Sequence, residues 1–304
     1  MHSTRSVMQG ISVVIPTKDR LRYLQRAVPM FLNHEEVKEV IVVIDGCEDG
    51  TLDYVKTAAA RDKRIKYTDN VTNRGLPYSR NRGIELAEYD YVFTGEDDLE
   101  LSNGFFSTLL SHMAETSAKI ISGRNIFRPE YENAAEAIRR MDDISGPAID
   151  RQAIAVQTGI RADRDQDQIL LPAPMLGCTD IFRKLKFDES YLVNGWREES
   201  DFQLRARESG HKLVFCPHAI SFNVMIKDDR GGVHYSGKVK RVLWVVRNNW
   251  RFVMKHQGLI AREFDIGNRY AYILKFSVKR TAQEIIIPTL IETKLKVITA
   301  VKKK

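Results

Sequence analysis

Three consecutive acids, Glu96, Asp97 and Asp98, are the residues of this chain whose type and spacing most clearly suggest chemistry. They follow an apolar run, residues 91–93, that is typical of a buried strand. Open parallel sheets bind ligands at the carboxyl ends of their strands, where these acids would lie. Crowded carboxylates repel one another unless a cation or solvent compensates, and hard divalent cations prefer oxygen ligands. The alternative is a solvated acidic turn before a helix.

A second acidic group, Glu198, Glu199 and Asp201, lies at the start of a helical pattern that Gly210 ends. Capping of this helix is the simple explanation for Glu198 and Glu199, because acids are favourable in a first turn. Two acidic groups at similar junctions, about a hundred residues apart, are less easily explained by capping alone. The two groups together therefore indicate a functional site.

The elements that must position these acids alternate between strand and helix. Continuous β-branched runs predict strands, and apolar residues at helical spacing predict helices between them. The predicted strands cover residues 11–16, 37–45, 65–68, 91–93, 119–127 and 212–216, and the predicted helices cover residues 21–32, 52–60, 77–87, 104–116 and 134–141. This alternation predicts an α/β fold with a mainly parallel sheet flanked by helices on both faces. No GxGxxG or GxxxxGK[ST] motif is present, which argues against the usual dinucleotide loop and the P-loop.

Composition describes an ordinary globular protein of 304 residues with a net charge of +7. Such a charge suits phosphate-bearing ligands, anionic lipid or nucleic acid, but no nucleic-acid-binding module is recognisable, so we expect no nucleic-acid partner. Cys47, Cys178 and Cys216 show no CxxC spacing and are expected to be free thiols in a reducing compartment. No signal peptide and no apolar run of about 20 residues is evident, so the expected location is cytoplasmic.

Four segments in order resemble family 2 glycosyltransferases: ISVVIPTKDR, EVIVVIDGCEDGT, NRGLPYSRNRGIELAEYDYVFTGEDD and FDESYLVNGWREESDFQLRARESGHKLVFCPHA. The resemblance covers roughly residues 11–256. It implies a GT-A-type fold and an inverting, metal-dependent transfer of a sugar from a nucleotide-diphosphate donor to a hydroxyl acceptor. The acceptor would be a glycan or a lipid-linked molecule, as in the synthesis of cell-surface polysaccharide or glycoconjugates.

The resemblance also implies which residues bind the donor nucleotide. Asp45 matches the acid that contacts the base, although turn capping is an alternative role for it. Arg80 matches a guanidinium near the nucleotide, a group suited to bidentate phosphate recognition. The complete predicted donor set is Pro16, Thr17, Asp19, Arg20, Asp45, Gly75, Arg80, Glu96 and Asp97.

The metal site implied by the resemblance departs from the family pattern. The D-x-D motif aligns with Gly95, Glu96 and Asp97, so its first acid is absent. Asp97 is the expected ligand of Mn²⁺ or Mg²⁺, with Asp98 as a weaker ligand. The usual third-ligand position holds Asn223, which leaves His234, downstream of it, and then His218 as candidates. Residues 227–238 contain paired glycines and several charges, a composition that suits a lid over the donor.

The transfer step is assigned by the same resemblance to the second acidic group. Glu199 takes the position of the general base that accepts the proton of the acceptor hydroxyl. Glu198 is expected beside it, where it and Trp196 would contact the acceptor. The family position is usually aspartate, and the extra methylene of Glu199 moves the carboxylate by about 1 Å, a displacement that matters for positioning.

We divide the chain into an N-terminal tail (1–9), a donor-binding half (10–125), an acceptor-binding and catalytic half of the same domain (126–256) and a basic amphipathic extension (257–304). Basic amphipathic helices attach to anionic membrane surfaces, here the inner face of the membrane, while packing on the domain or in a homodimer is the alternative. Two other functions remain open: a catalytically impaired sugar-nucleotide-binding protein and a nucleotidyltransferase. The latter would need a glycine-rich phosphate loop after the first strand, and PTKDR is not one.

Overall fold

A mainly parallel sheet forms the centre of the protein in the computed structural model, which describes residues 8–144, 146–192, 195–225 and 237–286. The strands of the described residues are β1 Met8–Thr17, β2 Val37–Ile44, β3 Ile65–Asp69, β4 Tyr89–Thr94, β5 Leu99–Leu101, β6 Ile120–Pro129, β7 Ile149–Asp150, β8 Ala155–Val156, β9 Gln166–Asp167, β10 Leu176–Cys178 and β11 Leu213–Met225. The sheet order is β3-β2-β1-β4-β10-β6-β11-β5, with β9 also paired to β11. Strands β1, β2, β3, β4, β6 and β11 run in one direction, and the short β5, β9 and β10 oppose them.

Helices cover both faces of this sheet, as the alternating pattern predicts. They are α1 Leu21–Leu32, α2 Thr51–Arg61, α3 Leu76–Leu86, α4 Phe105–Thr116, α5 Ala134–Asp142, α6 Thr179–Leu185, α7 Glu198–Glu208, α8 Lys238–Lys255, α9 Gln257–Glu263 and α10 Arg269–Thr281. Each predicted strand and helix is found at its place, and the α/β prediction is confirmed. Strand β11 is longer than predicted because it bulges after Cys216 and then continues to Met225.

The central strands are buried on both faces, which explains their continuous apolar sequence. On β1, Val13 and Ile15 pack with α1 and α4, whereas Val14 points to the opposite face and packs with α3. Each such side chain contributes about 1.5–3 kcal/mol when it leaves water. Successive side chains of one strand therefore join two separate cores, one on each side of the sheet.

A third hydrophobic cluster attaches the C-terminal helices to the rest of the protein. Phe252, Ile260 and Tyr272 of α8, α9 and α10 pack with Leu204 of α7 and with Ile154 beside the short β7–β8 ribbon. The predicted extension is thus helical and packed on the domain as far as residue 286, while residues 287–304 lie outside the described part of the chain. Among the helices of the described residues, none has the length and apolar character needed to cross a bilayer.

Candidate active site

The first acidic group lies at the carboxyl end of β4, beside the carboxyl end of β1. Thr17 Oγ1 donates a 2.7 Å hydrogen bond to Asp97 Oδ2. The guanidinium of Arg20 joins the two aspartates, with Nη1 2.9 Å from Asp97 Oδ1 and Nη2 3.0 Å from Asp98 Oδ2. Asp97 is only 4% exposed. The loop after β1 therefore positions the acids and neutralises part of their charge.

Asn223 on β11 contacts the same acids from the other side of the site. Its Nδ2 donates 2.9 Å hydrogen bonds to Glu96 Oε2 and to Asp98 Oδ1. Its Oδ1 accepts a 2.6 Å hydrogen bond from Asn125 Nδ2 on β6, which fixes the amide orientation. Asn223 thus lies where the alignment places the third metal ligand. It points its amide N–H groups toward the carboxylates, whereas a metal ligand would offer a lone pair.

Arg80 connects the first acidic group to the second. Its side chain is 1% exposed, and its Nη2 lies 3.5 Å from Glu96 Oε1. Its Nη1 forms ion pairs with Glu198 Oε1 and, at 2.7 Å, with Glu199 Oε1. Burial alone would lower the pKa of Arg80, but the charges of Glu198, Glu199 and Glu96 hold that pKa above its ordinary value.

The first turn of α7 places its acids in three different environments. Glu198 is 1% exposed, and burial, partly opposed by the charge of Arg80, raises its pKa well above the ordinary value. The side chain of Glu199 is 30% exposed and reaches the open site. Asp201 is completely buried and accepts hydrogen bonds from Tyr191, Arg205 and His256, which fixes α7 in place.

The surroundings of Glu96 raise the pKa of its carboxyl. Burial raises its pKa to about 7, and the charges of Asp98 and Glu199 act in the same direction. Arg80 and the amide of Asn223 oppose this increase because both stabilise the charged form. A cation bound beside Glu96 would favour its ionised form for the same reason.

Asp45 caps a turn in this structure. Its Oδ1 accepts hydrogen bonds from Asn70 Nδ2 at 2.9 Å and from the backbone N–H of Arg74 at 2.7 Å, and its Oδ2 accepts one from Gly75 N–H at 3.0 Å. The turn-capping role considered from the sequence is therefore present, and the contact to a nucleobase stays a prediction. Asp45 also lines the cleft, so the two roles are compatible.

These residues surround one cleft of about 1310 Å³. The predicted site residues that line it are Pro16, Thr17, Arg20, Asp45, Gly75, Arg80, Glu96, Asp97, Asp98, Trp196, Glu198 and Glu199. Among the predicted donor-binding residues that the structure describes, Asp19 alone does not line the cleft. Its carboxylate instead accepts the Glu48 N–H at 2.6 Å and pairs with Lys18. His234 and the predicted lid, apart from its last two residues, lie outside the described residues, and His218 does not line the cleft.

Several cleft residues were not identified from the sequence. Asn125 and the α10 residues Tyr272, Lys275 and Phe276 all line the cleft. Asn125 lies in a buried run of β6, where a polar side chain needs a hydrogen-bond partner. A polar residue within this apolar stretch of sequence could therefore have indicated a site residue. The residues of α10 gave no signal, because only tertiary packing brings this helix to the site.

Gly95 lies in a place with no room for a side chain. A Cβ there would be 2.8 Å from Val13 Cγ1 and 3.2 Å from Ile15 Cγ1, both core atoms of β1. Where the family motif has its first acid, this chain therefore has a glycine, and the absence of a side chain there allows close contact between β1 and the acid loop.

The strand order and the position of the acids define a protein with the GT-A fold of nucleotide-sugar transferases. GalNAc-T7, solved with UDP, GalNAc and Mn²⁺, superposes with a TM-score of 0.63 at 13% identity over 82% of this chain and 48% of that chain. The mannosyltransferase PcManGT of Pyrobaculum calidifontis, solved with GDP-Man and Mn²⁺, gives a TM-score of 0.59 at 12% identity over 99% of this chain and 84% of that chain. At such identities the likeness shows the fold.

The chain belongs to glycosyl transferase family 2, whose model matches residues 12–186, more than half of its length. It is 32% identical over 115 residues to a GalNAc(5)-diNAcBac-PP-undecaprenol beta-1,3-glucosyltransferase of Campylobacter jejuni, covering 37% of each chain. It is 23% identical to Glycosyltransferase GlyG of Streptococcus pneumoniae over 67% of each. The match spans 48% of an uncharacterized glycosyltransferase of Haemophilus influenzae. The chain thus matches about half or less of the length of two of these three relatives.

Proposed function

We propose that the protein is an inverting glycosyltransferase that moves a sugar from a nucleotide-diphosphate donor to a hydroxyl acceptor. The observation that carries this proposal is the position of Arg80, whose guanidinium contacts Glu96 of the donor side and Glu199 of the transfer side. It brings two acidic groups that are far apart in sequence to one cleft. Donors of the kind bound by the structural neighbours, UDP and GDP sugars, are the first to test.

In the proposed step, the Glu199 carboxylate accepts the proton of the acceptor hydroxyl. The acceptor oxygen forms a bond to the anomeric carbon from the face opposite the diphosphate. The bond from that carbon to the phosphate oxygen breaks, and the diphosphate leaves with the electron pair, so the anomeric configuration inverts. Arg80 holds the base by a 2.7 Å ion pair, and such positioning accounts for much of the rate gain in bimolecular reactions.

A divalent cation fits the donor side of the cleft. Asp97 and Asp98 line it with carboxylate oxygens, and Mg²⁺ or Mn²⁺ is commonly held by one or two carboxylates together with substrate phosphates. When bound, such an ion neutralises the charge of the leaving diphosphate. Arg20 already contacts both aspartates, so this chain supplies part of that positive charge itself.

The part of the cleft next to Trp196 and α10, where we place the acceptor, combines aromatic and positively charged side chains. Trp196, Tyr272 and Phe276 line it, together with Lys275 and Lys279 of α10. Aromatic side chains offer apolar faces with polar edges, and lysines attract anionic groups. We therefore propose a glycan or a lipid-linked acceptor that carries negative charge, consistent with a role in surface polysaccharide or glycoconjugate synthesis.

We also propose that the protein works in the cytoplasm at the inner face of the membrane. Leu243 and Trp250 of α8 and Leu274 and Val278 of α10 are 52–66% exposed, on two helices that pack together and carry several lysines and arginines. Co-sedimentation with vesicles should rise when anionic lipid is included. It should fall in Leu274→Ser but not in the control Val71→Ser, which changes an exposed valine outside α8 and α10. Self-association without vesicles would instead indicate the homodimer.

The proposed activity is tested in two steps with the full chain. Thermal shift against UDP, GDP and their sugars, with and without Mn²⁺ or Mg²⁺, should identify a stabilising donor. Release of nucleoside diphosphate from that donor in the presence of acceptor should then fall by about 10²–10⁴-fold in Glu199→Gln, while the thermal shift is kept. Glu208→Gln, at the far end of the same helix, is the matched control.

Two outcomes would contradict the proposal. Failure of every nucleotide to stabilise the protein would exclude donor binding, and full transfer activity in Glu199→Gln would exclude this base. Binding without any transfer would favour the impaired sugar-nucleotide-binding protein. Release of inorganic pyrophosphate from a nucleoside triphosphate would favour a nucleotidyltransferase.

A further inference from the structure

A second cluster of metal-ligating side chains lies away from the cleft. It joins His112 on α4, Asp165 just before β9 and Cys216 on β11. One ligand atom from each residue lies within 4.8 Å of the others. None of the three lines the cleft, so this cluster is separate from the proposed active site.

The contacts within the cluster leave ligand capacity unused. His112 Nδ1 lies 2.7 Å from Asp165 Oδ2. The other carboxylate oxygen, Asp165 Oδ1, is buried and has no hydrogen-bond partner among the described residues. A buried carboxylate oxygen without a partner is costly, and a bound cation would satisfy it.

Opposing effects act on the charge of the Cys216 sulfur. Cys216 is fully buried, and the backbone N–H groups of His218 and Ala219 donate to its sulfur. Such donors stabilise a thiolate, which is the form that binds metals. Burial nevertheless raises the pKa of Cys216 to about 11, and the charge of Asp165 acts in the same direction, so an ion must displace the thiol proton.

His218, next to His112, is the candidate for a fourth ligand. It follows Cys216 by two residues, and its ring centroid lies 5.4 Å from that of His112. The side chain of His218 is exposed, and those of His112 and Asp165 are 25% and 16% exposed. The cluster therefore has one closed side, at the sulfur, and one side that an ion can reach from solvent.

We propose that His112, Asp165, Cys216 and His218 bind one transition-metal ion, with Zn²⁺ as the best chemical match. Zn²⁺ takes imidazole, thiolate and carboxylate in a tetrahedron at about 2.0–2.3 Å, which places ligand atoms roughly 3.3–3.8 Å apart. Ligand atoms of His112, Asp165 and Cys216 already lie within 4.8 Å of one another, and rotation of the His218 side chain would bring in the fourth ligand. Mg²⁺ and Ca²⁺ prefer all-oxygen sites and match this set poorly.

The proposed ion would link three parts of the fold that are far apart in sequence. Strand β11, which carries Cys216, also carries Asn223 to the acids of the cleft. Helix α4 and the segment before β9 pack against this strand. An ion that binds the folded chain and not the unfolded chain stabilises the fold by mass action.

Co²⁺ provides the direct test, because it replaces Zn²⁺ and reports its ligands by absorption. Chelator-treated full chain is titrated with CoCl2 in the absence of nucleotide. We expect one Co²⁺ per chain, a thiolate-to-metal charge-transfer band, intense visible bands typical of tetrahedral geometry, and loss of all three on addition of Zn²⁺. Cys216→Ser should abolish the charge-transfer band, whereas Cys178→Ser and Cys47→Ser should retain it.

Further variants keep the test decisive. If Cys216→Ser does not fold, His112→Gln and Asp165→Asn, at less buried positions, should each weaken Co²⁺ binding by more than the roughly 10–100-fold loss that removal of a hydrogen-bond partner of a ligand causes. Asp97→Asn should leave the spectrum unchanged, which separates this site from the donor cation. Absence of stoichiometric Co²⁺ binding by the folded chain, which would leave only a hydrogen-bonded cluster, would overturn the proposal. So would a band that Cys47→Ser removes, because Cys47 lies near Asp19 and Asp49 in a different cluster.

Discussion

Arg80 and Glu198 form an ion pair that is almost completely withdrawn from solvent, with side chains 1% and 2% exposed. The same guanidinium contacts Glu199 and Glu96, so one positive charge faces three carboxylates. Arg80 lies on α3, in the proposed donor-binding half, and Glu198 begins α7, in the proposed acceptor-binding half. This pair therefore sets the position of the proposed base relative to the donor side.

Arg80→Met should destabilise the protein by about 3–5 kcal/mol, because it leaves the buried charge of Glu198 without a partner. Chemical denaturation measures this change in the free energy of unfolding. Arg82→Met, on the same helix but partly exposed, should change it by less than about 0.5 kcal/mol. The double variant Arg80→Met, Glu198→Met should recover part of the loss. An Arg80→Met protein as stable as the parent would show that the pair contributes nothing.

Asn223→Asp should make the stability of the protein depend on divalent cation. The change replaces two N–H donors to Glu96 and Asp98 with a further carboxylate, so the free energy of unfolding without metal should fall by about 1–3 kcal/mol. Mn²⁺ with nucleoside diphosphate should restore more stability to this variant than to the parent. Thermal unfolding with and without these ligands measures the difference. Equal responses of variant and parent would show that residue 223 does not face the bound cation.

Gly95→Asp, which writes the first acid of the family motif into this chain, should destabilise the protein rather than improve donor binding. The new Cβ would meet Val13 Cγ1 at 2.8 Å, and overpacking of this kind costs about 1–3 kcal/mol before the buried charge is counted. Gly95→Ala introduces the Cβ without the charge and separates the two effects. If Gly95→Asp tightens donor binding with no loss of stability, then the acid loop moves away from β1 in solution.

The sequence predicted the sheet well because its strands are long, continuous and β-branched, as in Val40–Ile44 of β2. It did not predict β10, three residues that enter between β4 and β6 in the opposite direction, because so short a strand has no pattern of its own. Among site residues, the acids were found from local motifs. The pairing of Asn125 with Asn223, and the approach of α10 to the cleft, depend on contacts between distant segments and leave no local pattern.

Acid should unfold the protein through Asp201 between about pH 4 and about pH 2. Asp201 is buried; burial raises its pKa, but bonds from His256, Lys255 and Arg205 lower it to about 2, below the ordinary value of 3.8. The unfolded chain therefore binds the proton first as the pH falls, so stability is present above pH 4 and is lost as the pH falls through the folded pKa. The shift corresponds to about 2 kcal/mol.

Asp201→Asn should lower the free energy of unfolding at pH 7 by at least this amount and flatten the dependence of that free energy on acid pH. Asp180→Asn, at an exposed aspartate on α6, should leave both unchanged. An acid limb of the same slope in Asp201→Asn would assign the titration to other carboxylates, of which Asp188, whose pKa is also lowered by Lys255 and Ser190 against the effect of burial, is the next to replace.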